Sequence, residues 1–207
     1  MGLTGSIAMG KSHAARILRS LGLPVFDSDL QVHFLYRDDR HVQGRIAQRF
    51  PQALTSVGVI DRRKLAQIVF GNKRSRFDLE KILHPQVVHT QRRFLRHASR
   101  CQYEIAVIDV PLLFETSAEK RVDAALVVGA NSVIQRDRAL RRRHMDAAKF
   151  RLIKDSQLAS YEKRRRADFF VPSGLDRGQM TSRVISILTE MEARSANAWP
   201  KAWCRNL

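Results

Sequence analysis

The sequence predicts an α/β fold, a parallel sheet flanked by helices. Three observations predict it. Short apolar runs rich in β-branched residues alternate along the chain with segments of helical period, as strands joined by helical crossovers do. The pattern G-x-x-x-x-G-K-[ST] stands between the first apolar run and the first helical segment, where a strand–turn–helix unit places it. Hydrophobic residues make up 44% of 207 positions, enough for one core with one or two small insertions and too many for a disordered chain.

The elements run in order. Residues 1–4 read as the end of a short strand. Ser12–Leu21 reads as a helix with Ala15, Leu18 and Leu21 on one face and Gly22 as its stop. Pro24-Val25-Phe26 is a second short strand, ending at Asp27-Ser28-Asp29, and a helix continues from there through Tyr36. From about 40 to 100 the pattern is mostly helical. Pro51 ends one segment, Asp61 caps a helix over Arg62–Phe70, and Ser75 caps another over Arg76–Leu83. His84-Pro85 marks a break, and a longer helix runs to about Arg100. Residues 104–109 (Glu-Ile-Ala-Val-Ile-Asp) and Ala124–Val128 read as buried strands. Ser132–Arg143 and Asp146–Gln157 read as helices, Phe169-Phe170-Val171 as a short strand, and 178–193 as a last helix. The tail from Ser195, with Trp199-Pro200 and Trp203, has no clear period and is expected to be loose or to pack on the surface.

Lysine and arginine number 37 against 20 acids, a net charge of +17. Residues 62–104 hold eleven of these cations and residues 136–166 hold twelve. Such a field attracts polyanions, either nucleic acid or a substrate carrying several phosphates; the plain alternative is solvated helix faces. No apolar run approaches the roughly 18–20 residues needed to span a bilayer, and no secretory leader or membrane partner is expected. Cys101 and Cys204 stand too far apart in sequence for a disulfide framework or a metal motif, so a reducing cytoplasm fits.

Gly5-Ser6-Ile7-Ala8-Met9-Gly10-Lys11-Ser12 carries the most specific chemistry. Gly5 and Gly10 let the backbone turn so that N–H groups converge on phosphates, and the helix after them adds its positive end. Lys11 reaches the terminal phosphates, and the Ser12 hydroxyl can ligate Mg²⁺. Ala8 stands where a positive φ would cost roughly 1 kcal/mol. A GTPase would need Asn-Lys-x-Asp, and Asn72-Lys73 is followed by Arg74-Ser75 instead. A small-molecule kinase also needs a carboxylate near the acceptor hydroxyl and arginines over the phosphates. Asp27-Ser28-Asp29, at the end of the second strand, offers the carboxylate, with helix capping as its other use.

Gly2–Ser12 and Pro24–Asp29 resemble the corresponding segments of dephospho-CoA kinases. So do Ile60–Leu65, Leu79–Pro85, Asp109-Val110-Pro111-Leu112-Leu113-Phe114-Glu115 and Glu162–Asp168, in the same order, over almost the whole chain to about residue 190. The Leu-His-Pro and Asp-Val-Pro-Leu-Leu-Phe-Glu segments are far more specific than the loop. The resemblance implies transfer of the ATP γ-phosphate to the ribose 3′-hydroxyl of dephospho-CoA, with Mg²⁺. It implies a P-loop nucleotide-kinase fold: a core of residues 1–36, 102–131 and 158–194, a helical CoA-binding region at 37–101, a lid at 132–157, and a C-terminal tail at 195–207.

Carried onto this chain, the resemblance makes Asp29 the base or orienter of the acceptor hydroxyl, with Asp27 as the alternative. It assigns Lys11 and Arg142 to catalysis. It assigns Gly5, Ala8, Met9, Gly10, Lys11, Ser12, His13 and Arg142 to ATP. Arg62 helps bind the acceptor, or is a solvated residue at a helix start. His84 is a substrate-side residue, or a buried and satisfied histidine. Asp109 holds Mg²⁺ through water, or satisfies nearby backbone. Arg142 is chosen because it lies fifteen residues before Gln157; Arg141 and Arg143 flank it. His13 replaces the usual threonine, and Pro172-Ser173-Gly174 departs from a pattern with asparagine, which puts base selectivity in question. A nucleoside monophosphate kinase is one alternative. A basic nucleic-acid-binding NTPase is another, disfavoured because no interleaved aromatics form a stacking platform. No specific nucleic-acid partner is expected, and oligomeric state is left open.

Overall fold

The structure is a computed structural model that describes residues 1–70 and 72–204; residues 205–207 of the expected tail lie outside the described residues. In chain order the elements are β1 (Gly2–Thr4), α1 (Lys11–Ser20), β2 (Val25–Asp27), α2 (Ser28–Asp38), α3 (Arg40–Arg49), α4 (Arg62–Phe70) and α5 (Lys73–Arg100). Next come β3 (Val107–Asp109), β4 (Ala125–Gly129), α6 (Ser132–Leu140), α7 (Ala147–Asp155), α8 (Ser160–Arg166), β5 (Phe169–Pro172), α9 (Arg177–Glu192) and α10 (Lys201–Cys204). The described chain forms two compact units, one of Met1–Asp27 with the described residues from Leu95 onward, the other of Ser28–Phe94.

The first unit holds a five-stranded sheet in the order β2-β3-β1-β4-β5, with every pairing parallel. The expected α/β class is therefore present. Successive residues of β4 face opposite sides of the sheet. Leu126 and Val128 join α1 (Ala14, Ala15, Leu18) and α9 (Met180, Val184, Ile187) in one core. Ala125 and Val127 join Leu113 and Phe114 in another. With both faces covered, the strands read as unbroken apolar runs rather than alternating ones.

The second unit packs α2, α3, α4 and the first half of α5 around Val42, Ile46, Phe50 and Leu65. Its helix starts obey side-chain chemistry. The Asp39 carboxylate accepts the Val42 N–H, and Asp61 accepts those of Arg63 and Lys64, as expected for a cap on α4.

Several elements differ from expectation. Ser75 is not a cap: Asn72 accepts the N–H groups of Arg74 and Ser75, so α5 starts at Lys73. His84-Pro85 is not a break either, because α5 runs through Pro85 to Arg100. Proline removes the bond to the carbonyl four residues back, here that of Lys81. Lys81, His84 and Pro85 all lie on the exposed side of the helix, while Ile82, Leu83 and Val87 anchor the other side. β3 begins at Val107 rather than 104, and α6 stops at Leu140 rather than 143. α8, within the basic run, carries no apolar periodicity and was not foreseen.

The tail packs down. Trp203 is 4% exposed and donates its indole N–H to the Arg121 carbonyl at 2.7 Å. The Asp123 carboxylate accepts the N–H groups of Asn197 and Ala198. Among the described residues no helix is long and apolar enough to cross a membrane.

Because Pro85 is exposed and breaks one bond inside a continuous helix, Pro85→Ala is expected to stabilise the protein by about 1–3 kcal/mol. Urea unfolding measures this; a lower midpoint in the variant would show that the proline ring supports the packing of the second unit.

Candidate active site

β1 ends at Thr4 and α1 begins at Lys11, so residues 5–10 must reverse the chain at the carboxyl edge of the sheet. Gly5 has a reason the sequence did not show. A Cβ there would lie 2.7 Å from the Val128 carbonyl oxygen, so glycine is required by close approach to β4. Gly10 needs its freedom twice over, with φ of 87° and a would-be Cβ 2.8 Å from Ser173 Cβ. Ala8 does take a positive φ, 59°. Its methyl is buried with Ala139, Phe150, Ile7 and Met145, a contact that glycine would forgo.

The loop's N–H groups divide in two. The Ile7 N–H goes to Gln157 Oε1 at 2.9 Å, that of Met9 to the Ser6 carbonyl, and that of His13 to the Gly10 carbonyl. No hydrogen bond among the described residues takes those of Ala8, Gly10, Lys11 or Ser12. An anion seated on this helix start meets these open donors together with the positive end of α1. Met9 and His13, assigned to ATP by the resemblance, have their own N–H groups engaged within the loop.

The Lys11 ammonium lies 2.5 Å from an oxygen of Asp109, the buried last residue of β3. Strand register sets Asp109 between Leu3 of β1 and Asp27 of β2. Ser12 is exposed one residue on. The pair of a serine hydroxyl and a carboxylate is a set of hard oxygen donors suited to Mg²⁺, an ion that draws its remaining ligands from water and phosphate. No group of three or more His, Cys, Asp or Glu among the described residues is arranged as a protein-only metal cage.

Several residues missed in the sequence brace this loop. The Ser173 hydroxyl donates to the Met9 carbonyl at 2.7 Å, and Arg138 grips Ser173 through its hydroxyl and its carbonyl. Lys163, in α8, is fully buried: its ammonium donates to the Pro111 carbonyl at 3.0 Å and pairs with Glu115 at 2.8 Å. Thr4 donates to the same Pro111 carbonyl, and Glu115 also accepts the Leu158 N–H. Each of these bonds spans a long sequence separation, so no local pattern announces it.

The His13 ring lies 3.2 Å from an Arg16 nitrogen. Desolvation first, then Arg16, Arg177 and Arg138, hold its pKa below the ordinary value. Arg142 is exposed in the turn after α6, its own N–H bonded to the Ala139 carbonyl.

In the second unit, Asp29 lies exposed in the first turn of α2, after the buried Ser28, whose hydroxyl accepts from Gln91. Arg62 opens α4 and approaches His33 Nε2 at 3.4 Å. It lines a cavity of about 880 Å³ with Phe34, Tyr36, Arg37, Arg40 and Val59. Burial pushes the Tyr36 hydroxyl up to about 12, against the opposing charge of Arg62. His84 is exposed on α5 rather than buried and does not line this cavity.

The profile of the dephospho-CoA kinase family matches residues 1–176. A dephospho-CoA kinase of Agrobacterium fabrum is 42% identical over 193 residues, 93% of this chain and 98% of the relative. One of Bartonella henselae is 37% identical over 191 residues, 92% of this chain and 97% of the relative. Among solved structures, a Thermus thermophilus protein superposes with a TM-score of 0.81 at 29% identity, covering 94% of this chain and 97% of that one. A dephospho-CoA kinase from Campylobacter jejuni superposes with a TM-score of 0.65 at 26% identity, over 92% and 96% of the two chains.

Lys163→Met is expected to lower stability by about 1–3 kcal/mol, because it leaves the Pro111 carbonyl and the partly exposed Glu115 carboxylate without the ammonium that joins them. Thermal and urea unfolding check this; a loss under about 1 kcal/mol would mean that water replaces the ammonium at no cost.

Proposed function

The chain belongs to the dephospho-CoA kinase family, and we propose that it transfers the γ-phosphate of ATP to the ribose 3′-hydroxyl of dephospho-CoA, yielding coenzyme A and ADP. The observation that carries this reading is the loop at Gly5–Ser12, with open N–H donors at the start of α1 and Lys11 paired to Asp109. In the transfer the 3′-oxygen attacks phosphorus in line, the bond from phosphorus to the bridging oxygen of ADP breaks, and the hydroxyl proton passes to a carboxylate. Asp29 is that carboxylate in our reading, with Arg142 stabilising the charge that develops on the transferring group. Lys11 and the loop N–H groups orient the phosphates, which makes positioning the main source of rate. Ser12, and Asp109 through water, would hold Mg²⁺, which would supply neutralisation of phosphate charge.

The second unit supplies the acceptor site in the same reading. Its cavity sets Arg37, Arg40 and Arg62 beside the exposed apolar side chains of Leu30, Phe34 and Val59. A molecule with a diphosphate and a long, weakly polar arm matches both characters. Residues 132–157 would act as the lid. A cytoplasmic location belongs to this reading too, supported by the free, exposed thiol of Cys101.

ADP formation should depend on dephospho-CoA, and a panel of nucleotides, nucleosides and dephospho-CoA with ATP or GTP as donor checks it. Turnover equal to the ATP-only background in folded protein would defeat the reading. Asp29→Asn should lower kcat about 100-fold or more while ATP affinity stays within about two-fold. A large loss of ATP affinity would instead assign Asp29 to folding of the site.

A further inference from the structure

We propose that Gln135 and Gln157 are positioning residues of the ATP cradle, which together set the backbone of Ile7 and so hold the left-handed turn at Ala8. The inference rests on the reading that the loop binds ATP. Gln157, just after α7, accepts the Ile7 N–H through Oε1 at 2.9 Å. Gln135, in α6 and only 2% exposed, donates through Nε2 to the Ile7 carbonyl at 2.9 Å. One side chain serves as acceptor and the other as donor, matched to the two backbone groups of a single residue. Both peptide planes flanking Ile7 are thereby fixed.

The next residue in the chain needs that control. Ala8 sits at φ 59°, a conformation that a residue with a Cβ resists by roughly 1 kcal/mol. The Ala8 N–H is also one of the open donors of the cradle. Taking the Ile7 N–H away from the anion and locking its carbonyl leaves the next peptide aimed by geometry rather than by chance. The Ile7 and Ala8 side chains pack with Ala139 of α6, Phe150 of α7 and Met145 between them, so both helices hold the dipeptide from the side as well. Neither glutamine faces the reacting atoms in this account. Each acts through the loop.

The test uses hydrogen-bond direction. A glutamate at 157 keeps an acceptor for the Ile7 N–H, whereas a glutamate at 135 cannot donate to the Ile7 carbonyl. Both substitutions add the same charge, at 135 in a buried place and at 157 in a half-buried one, so the unfolding midpoints read the burial cost and the ATP affinity, compared at matched folding, reads the bond. ATP and ADP binding by titration calorimetry, steady-state KM for each substrate, and unfolding midpoints are measured on the full chain. Gln157→Leu, Gln135→Leu and Gln135→Glu should each weaken ATP binding about ten-fold, while Gln157→Glu stays within about three-fold of wild type. The acceptor KM should stay within about two-fold for all four. Where a leucine variant fails to fold, the two glutamate variants carry the decision. Equal ATP affinity for Gln135→Glu and Gln157→Glu would overturn the proposal. So would an acceptor KM that rises as much as that for ATP, the mark of a general structural role. A wild-type chain that binds no ATP would refute the loop reading itself; wild type that binds while all four variants match it would refute only the positioning role.

Discussion

The ion pair between Lys11 and Asp109 ties the start of α1 to the end of β3, and the geometry of the phosphate loop depends on it. A helix start carries partial positive charge, and the Lys11 ammonium adds a full one at the same place. Two like charges held together beside open N–H donors would drive the loop apart. The buried Asp109 carboxylate offsets them, and it can stand there because β3 lies directly beside β1 in the sheet. Burying a charged pair costs desolvation, so the pair stabilises the loop only if its neighbours are rigid. The surrounding long-range bonds supply that rigidity: Ser173 to Met9, Arg138 to Ser173, and Thr4 and Lys163 to the Pro111 carbonyl.

The charge of +17 takes a different meaning once residues are placed. Some of the cations are structural: Lys163 is buried against Glu115, Arg49 pairs with Asp78, and Arg194 pairs with Asp168. Others stack on rings, as Arg164 does over Phe170 at 4.4 Å. Arg37, Arg40 and Arg62 gather at one cavity of the second unit, next to apolar side chains. A polyanion with no apolar part would leave that apolar surface exposed to water, whereas an amphiphilic acceptor covers it.

The phosphate loop and the parallel sheet were legible in the sequence because both write their demands locally. Glycine and lysine at fixed spacing, and apolar runs bounded by helical periods, are short-range signals. Boundaries were less legible. Ser75 looks like a cap, but Asn72, three residues earlier, offers the same oxygen and wins the N–H groups. Pro85 looks like a helix end, but the apolar contacts of Ile82, Leu83 and Val87 outweigh one lost hydrogen bond on the wet side. The bracing residues were the least legible. Gln135 and Gln157 gain their roles only when the chain brings them to Ile7 across more than a hundred positions. Lys163 sat in a run of cations that reads as solvated, and only the fold buries it.

The departures at Pro172 and Ser173 show how such local oddities resolve. Pro172 lacks an N–H, yet it ends β5 opposite Gly129, and the next N–H, that of Ser173, bonds the Gly129 carbonyl at 2.7 Å. Alternate residues of a parallel strand donate to one neighbour, and β5 is the edge of the sheet, so the missing N–H costs the β4–β5 ladder no bond. Ser173 is then turned inward against Gly10, whose missing side chain makes the space. Its hydroxyl donates to Met9 and accepts from Arg138, and its carbonyl accepts from Arg138 as well. A serine committed in this way has no hydrogen left to read a nucleobase. Discrimination between donor bases therefore cannot rest on a hydrogen bond donated by the Ser173 hydroxyl. Ser173 instead fixes the back of the loop, through the Met9 carbonyl and the space that Gly10 leaves.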